Sequence, residues 1–228
     1  MADVLIFSAH PDDAEFGMGG TLLKMLEQGK SVTVCVLTKG QAGTEGTVQD
    51  RVNEMKSASQ YAGFELEMLD FVDCKVFDNF ESRKALAEVI RKHKPKTIFT
   101  PYHTNNGYHK NGMAHPDHLA TGQITKSAAR YAKFKGLEGI KGEAWSAERI
   151  IYYMVPMNLT PTIVLDVKDQ MENLIELMKC HQTQTNLVQG KFVELLTDFR
   201  KQQGLFNALE YAETFYMEEP FEIEAKDL

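Results

Sequence analysis

The sequence predicts an α/β domain in which a mostly parallel sheet carries helices on both faces. Three observations predict it. Short apolar runs alternate with amphipathic stretches of helical period. The runs are apolar throughout rather than at every second residue, as strands buried on both faces must be. Glycine or proline closes most of the helical stretches.

Taken in order, Val4–Ser8 is a short apolar run that ends in polar residues, the pattern of a buried parallel strand. Gly17, Gly19 and Gly20 precede a helix over Thr21–Leu26 that closes at Gly29. A second β-rich run covers Ser31–Leu37, and a Gly- and Thr-rich loop follows from Thr38 to about Val48. A helix then spans Gln49–Ala62 and stops at Gly63, with a third strand over Glu65–Leu69. Glu81–His93 is helical and is ended by Pro95, after which Thr97–Thr100 forms another strand. A long loop rich in Asn and Gly, Tyr102–Ala114, leads to a helix that runs beyond His118 to about Tyr131. Arg149–Val155 and Thr162–Leu165 read as strands, and Val167–His181 and Phe192–Gln203 as helices. This is the spacing of βαβ units, with no internal repeat and no linker, so residues 1–228 form one domain.

The bulk numbers narrow the function. A net charge of −7 argues against a partner bound through its phosphates, and no nucleic acid is expected. The basic cluster Arg91-Lys92-His93-Lys94-Pro95-Lys96 reads as the solvated end of a helix, where cations suit the dipole. Three widely spaced cysteines, Cys35, Cys74 and Cys180, offer no C-x-x-C pair, which argues against a disulfide framework and a thiolate zinc site; Cys35 reads as core. The first residues show no basic region and too short an apolar stretch for a signal peptide or membrane span, so a cytoplasmic location is expected.

Chemistry concentrates in two segments, Ala9-His10-Pro11-Asp12-Asp13 and His115-Pro116-Asp117-His118. The first follows the first strand, and the second ends the loop after Thr97–Thr100. Ligands of such sheets gather beyond the carboxyl ends of the strands, so both segments fall on one rim although about a hundred residues separate them. Pro11 stiffens a turn that can aim His10 and Asp13 at one point while Asp12 projects differently. Pro116 suits a first helical turn, and His115 and His118, three residues apart, can face the same side. The bland readings are N-capping carboxylates and surface histidines. Two such segments on one rim favour a catalytic metal site, which keeps three nitrogen or oxygen ligands and an open position for water. The remaining carboxylate suits a base and the remaining histidine an acid or oxyanion donor.

Ala-His-Pro-Asp-Asp-Ala-Glu with the following Gly-x-Gly-Gly-Thr, together with His-Pro-Asp-His, resembles the LmbE-like, or PIG-L, zinc-dependent de-N-acetylases. Supporting segments are Gly46-Thr47 with Arg51-x-x-Glu54, Gln182-Thr183-Gln184 and Tyr211-Ala212-Glu213-x-Phe215. The resemblance implies a Rossmann-like three-layer fold, zinc or ferrous iron as cofactor, and His10, Asp13 and His118 as the metal ligands. Asp12 would be the general base that activates the attacking water. His115 would stabilise the oxyanion and act as acid, with Asp117 orienting it. Arg51 would contact sugar hydroxyls or a charge on the aglycone; its bland reading is a solvated helix residue paired with Glu54. Glu15 and the glycines at 17, 19 and 20 match no phosphate-binding loop, so close helix packing is expected of them.

The implied reaction is removal of acetyl from an N-acetylglucosamine-containing small molecule, such as N-acetylglucosaminyl-malate of the bacillithiol pathway. A trimeric or hexameric assembly is also implied, with Phe215-Tyr216-Met217 and Phe221 as packing residues. Many relatives carry a short acidic-arginine stretch directly before the His-Pro-Asp-His. Here Asn111-Gly112-Met113-Ala114 stands in its place, behind an enlarged loop bearing His103, Tyr108 and His109. Two other readings compete: a metal-dependent phosphoester hydrolase, and a sugar-binding protein with a relict site. The first commonly needs two metals and more carboxylates than the motifs supply. The second leaves an intact base and acid unexplained.

Overall fold

The computed structural model describes residues 2–104 and 115–220. Strands β1 (Val4–Ser8), β2 (Val32–Thr38), β3 (Glu65–Phe71), β4 (Thr97–Pro101) and β5 (Arg149–Tyr153) form one sheet in the order β3-β2-β1-β4-β5. All its pairings are parallel. β1 and β2 are buried along their whole length, which explains their unbroken apolar sequence. Val4 and Ile6 enter the core on one face of the sheet, and Leu5 and Phe7 the core on the other. Helices α1 (Asp13–Glu27), α2 (Val48–Ala62) and α5 (Met171–Lys179) pack on the first face. Helices α3 (Phe80–His93) and α4 (Pro116–Lys133) pack on the second, which makes the expected three layers.

The chain winds outward from β1 to β3 and then returns to place β4 on the other side of β1. Strand order therefore reverses between β1 and β4, and a crevice opens beyond their carboxyl ends. His10–Asp13 leaves β1 at that crevice, and His115–His118 opens α4 after β4. Thr47 caps α2 through a reciprocal pair with Asp50, and Asn79 caps α3 through Ser82 N–H.

Three elements differ from expectation. Helix α1 begins at Asp13 rather than Thr21, and it is broken at Met18 (φ −151°, ψ 26°). Glycine is required on either side of the break. A Cβ at Gly17 would lie 2.7 Å from the Tyr153 ring, and one at Gly20 would lie 2.9 Å from Val167 Cβ. The expected helix over Val167–His181 divides into a 3₁₀ turn at 168–170 and α5, and a short α6 (Gln182–Thr185) follows beyond its expected end. Finally, β6 (Ile163–Asp166) pairs antiparallel with β7 (Ala212–Phe215), a strand too short and too polar in its middle to show as one in the sequence.

β7 anchors α1. The break at Met18 leaves the second half of α1 with its own unpaired N–H groups, and the Glu213 carboxylate accepts from Gly20 (3.0 Å) and Thr21 (2.7 Å). Arg200, on α7 (Phe192–Phe206), donates to the same carboxylate at 2.8 Å and to the Phe16 carbonyl at 2.8 Å. Both Arg200 and Glu213 are buried.

The basic cluster is not a solvated helix end. Arg91 is buried and donates to the carbonyls of Ala132, Phe134, Ile140 and Gly142, while His93 is buried against Glu67. Lys92, beside them, stays exposed. Phe215 packs in the core of its own domain, and Phe221 lies outside the described residues. Cys35 is core, as expected. Among the described residues, no helix is long and apolar enough to cross a membrane.

Glu213→Ala strands a buried guanidinium and two helix N–H groups. The substitution is expected to lower stability by about 3–5 kcal/mol, read from urea unfolding.

Candidate metal centre and active site

The turn after β1 separates two adjacent carboxylates. Asp12 sits in the left-handed region (φ 112°, ψ −24°), a conformation that costs a non-glycine residue about 1–3 kcal/mol. This backbone sends Asp13 toward the histidines and Asp12 toward α2. Asp13 Oδ2 accepts the His10 main-chain N–H at 2.8 Å, and Asp13 Oδ1 lies 3.0 Å from His118 Nε2. His10 Nδ1 lies 3.2 Å from His118 Nε2 and 3.7 Å from Asp13 Oδ2. In a tetrahedral zinc site with ligand bonds near 2.0–2.1 Å, ligand atoms stand about 3.3 Å apart. The three side chains thus lie at the spacing of one coordination sphere, with the nitrogen and oxygen donors a divalent ion takes, and His10, Asp13 and His118 fit the metal.

His10 is held from behind by a residue the sequence reading did not single out. Asp73, in the loop after β3, places Oδ1 3.1 Å from His10 Nε2, and its Oδ2 accepts the Ala42 N–H at 2.8 Å. A carboxylate on the far nitrogen fixes the tautomer and leaves Nδ1 for a metal. Burial disfavours charge on His10, but Asp13, Asp73 and Asp12 outweigh it and raise its pKa to about 9. Burial would raise Asp13 as well; His118 and His10 prevail and hold it well below the usual carboxylate range.

Asp12 behaves in the opposite way. Burial, and then the charge on Asp13, push its pKa up to about 7, against the opposing pull of Arg51 and His181. Arg51 Nη2 donates to Asp12 Oδ2 at 3.1 Å and to the Pro11 carbonyl at 2.7 Å. Arg51 is only 4% exposed, so it is neither solvated nor paired with Glu54. Glu54 instead accepts the N–H and the hydroxyl of Thr183 at 2.7 and 2.8 Å. Gln184 donates to the Glu45 carbonyl, and Gly46 (φ +76°) lies so close to Thr183 that a Cβ would approach it to 2.6 Å. The Gln182-Thr183-Gln184 segment therefore clamps the loop that precedes α2.

His115 occupies the N-cap position of α4, and its Nδ1 accepts the Asp117 main-chain N–H at 3.2 Å. Its ring stands edge-on to His10, with centroids 4.7 Å apart. Burial and the neighbouring His10 lower its pKa. Asp117 touches His115 through this backbone N–H. Its carboxylate accepts from Cys74 N (2.7 Å) and Val76 N (3.4 Å) and lies 3.5 Å from His10 Nε2. His103 is turned away, bonded to Thr104 and Glu218. Tyr108, His109 and residues 111–114 lie outside the described residues.

An apolar cavity of about 560 Å³, walled by Phe16, Met154, Leu187 and Phe192 among others, opens onto Asp12, Asp13 and His118. A second buried pair lies behind Asp12: His181 Nε2 is 3.6 Å from Glu15 Oε1, and both side chains are fully enclosed. Asp73 could have been found in the sequence as a carboxylate just past the end of the third strand, on the same rim as the other two segments. Nothing in the sequence marked the Glu15–His181 pair.

The family profile described as "PIG-L: GlcNAc-PI de-N-acetylase" matches residues 5–129. The chain is 30% identical over 195 residues to a diacetylchitobiose deacetylase of Thermococcus kodakarensis, across 79% of this chain and 69% of that protein. It is 27% identical over 205 residues to a probable N-acetyl-alpha-D-glucosaminyl L-malate deacetylase 2 of Bacillus cereus, across 80% and 83% of the two chains. The crystal structure of the conserved protein TT1542 from Thermus thermophilus superposes with a TM-score of 0.87 at 28% identity, covering 99% of this chain and 98% of that one. The chain belongs to the PIG-L family of GlcNAc-PI de-N-acetylases and is a deacetylase, an amidohydrolase acting on N-acetyl groups.

Proposed function

We propose that this protein hydrolyses the acetamide of an N-acetylglucosamine-containing small molecule, of which N-acetylglucosaminyl-malate is one example, releasing acetate and a free amine. The observation that carries the reading is the convergence of His10, Asp13 and His118 with Asp12 left over beside them. The same two relatives, a diacetylchitobiose deacetylase and a probable N-acetylglucosaminyl-malate deacetylase, support a sugar amide as substrate. His10, Asp13 and His118 would hold one zinc or ferrous ion. When bound, the ion would polarise the acetyl carbonyl and acidify the attacking water.

The remaining work falls to the chain's own groups. Asp12, which burial and Asp13 make a stronger base than an ordinary carboxylate, accepts the proton of the attacking water. Arg51 holds Asp12 Oδ2, so we assign it to positioning the base rather than to binding sugar hydroxyls. His115 accepts the Asp117 N–H at Nδ1, which leaves its proton on Nε2 to donate toward the developing oxyanion. Its lowered pKa makes it a neutral donor, and the proton taken by Asp12 is the one available to the departing amine. Two carboxylates one residue apart thereby take separate roles because their surroundings push their pKa values in opposite directions.

Acetate release from a panel of N-acetylglucosamine conjugates tests the activity; a phosphoester hydrolase or a sugar-binding protein would release none. Asp12→Asn is expected to lower kcat by roughly 10²–10⁴-fold while the bound metal, counted by elemental analysis, is retained. Arg51→Met removes the cation that holds the Asp12 pKa down, so the acid limb of the kcat/KM profile moves to higher pH and the loss is largest below neutrality. In the metal-free protein His10 is protonated at pH 7 and must lose that proton to bind. Calorimetry in buffers of different ionisation enthalpy is expected to show about one proton released per ion at pH 7, and less above pH 9.

A further inference from the structure

Beside the proposed catalytic centre lies a second set of metal donors. Asp73 and Cys74 are consecutive in the loop after β3, and His115 faces them from the start of α4. One ligand atom from each lies within 4.8 Å of the other two. Cys74 Sγ is 3.8 Å from His115 Nε2. A zinc ion bonded to sulfur at about 2.3 Å and to nitrogen at about 2.0–2.1 Å separates those two atoms by about 3.6 Å. The Cys74–His115 pair is therefore close to the spacing of a shared ion, and the Asp73 carboxylate, within 4.8 Å of both, would close in to complete it.

The chemistry of the set differs from that of the first site. It mixes thiolate, imidazole and carboxylate, which favours a thiophilic divalent ion such as zinc or cadmium. Cys74 is exposed, so an ion reaches it from solvent, and its backbone is fixed by the bond from its N–H to Asp117 Oδ2. We propose that Asp73, Cys74 and His115 form a second, lower-affinity site for a thiophilic divalent cation, and that occupancy of this site switches the enzyme off.

Two costs make this site weaker than the first. Binding releases the thiol proton of Cys74 and moves the ring proton of His115 from Nε2 to Nδ1, which breaks the bond that Nδ1 accepts from the Asp117 N–H. Asp73 must also divide its carboxylate between this ion and His10. Inhibition follows because an ion on Nε2 occupies the nitrogen that otherwise donates to the oxyanion. This last step rests on the role proposed for His115; the binding of the ion does not.

The test starts from protein loaded with one equivalent of zinc, to which cadmium is added. Bound metal is counted after equilibrium dialysis, the ultraviolet thiolate-to-cadmium absorption is recorded, and acetate release is followed in parallel. The wild type is expected to take a second ion, show the thiolate band and lose activity. Cys74→Ser and Cys74→Gly are expected to take one ion, show no band, and need at least tenfold more cadmium for half inhibition. Glycine suits the φ of 61° at this position, so the second variant guards against misfolding as the explanation. Equal stoichiometry in wild type and variants would overturn the site, as would equal inhibition. Activity that rises with the second ion would overturn the inhibitory role. A second ion and a thiolate band in a protein that releases no acetate before cadmium is added would uphold the site and reject the deacetylase reading.

Discussion

The architecture rests on one close contact. Two imidazole nitrogens from segments far apart in the chain stand 3.2 Å from each other, with a buried carboxylate touching both rings. A divalent ion would take both nitrogens and the carboxylate into one coordination sphere. The reversal of strand order between β1 and β4 is what brings the two segments to this distance.

Around that contact the protein separates groups of like charge by giving each a different partner. Asp13 has the histidines, Asp12 has Arg51, and Asp73 has His10 and a main-chain N–H. Without those assignments, three carboxylates in a poorly hydrated crevice would each rise in pKa, and the metal would meet protonated ligands. The positive φ at Asp12 is part of the same solution. It costs backbone strain, and it is what directs two adjacent side chains to two sites.

Much of this was legible in the sequence. Buried parallel strands announce themselves as uninterrupted apolar runs, so β1, β2 and β4 were found to within about a residue at each end, and the shared rim followed from βαβ topology. The two His/Asp segments stood out because proline and paired ligands occur together. What stayed hidden depends on tertiary neighbours. Arg51 looked like a solvated helical residue, because nothing local reveals that a loop and Asp12 will enclose it. Arg91 looked like a dipole-complementing surface cation, yet it gathers carbonyls from a segment about fifty residues on. The start of α1 was misplaced because three glycines resemble a loop until the close approach of Tyr153 and Val167 accounts for them. β7 was missed because a glutamate in the middle of a four-residue strand carries no β signal.

The glutamate that caps the broken helix also sets an order of events during synthesis. A growing chain holds every proposed metal ligand once His118 has been made, yet the anion that secures the helix beginning at Asp13 arrives only with residue 213. A chain stalled between those points would carry Asp13 on a helix that lacks this cap. Firm placement of the Asp13 carboxylate thus draws on β7, a strand made nearly two hundred residues after it and joined to β6 across three intervening helices.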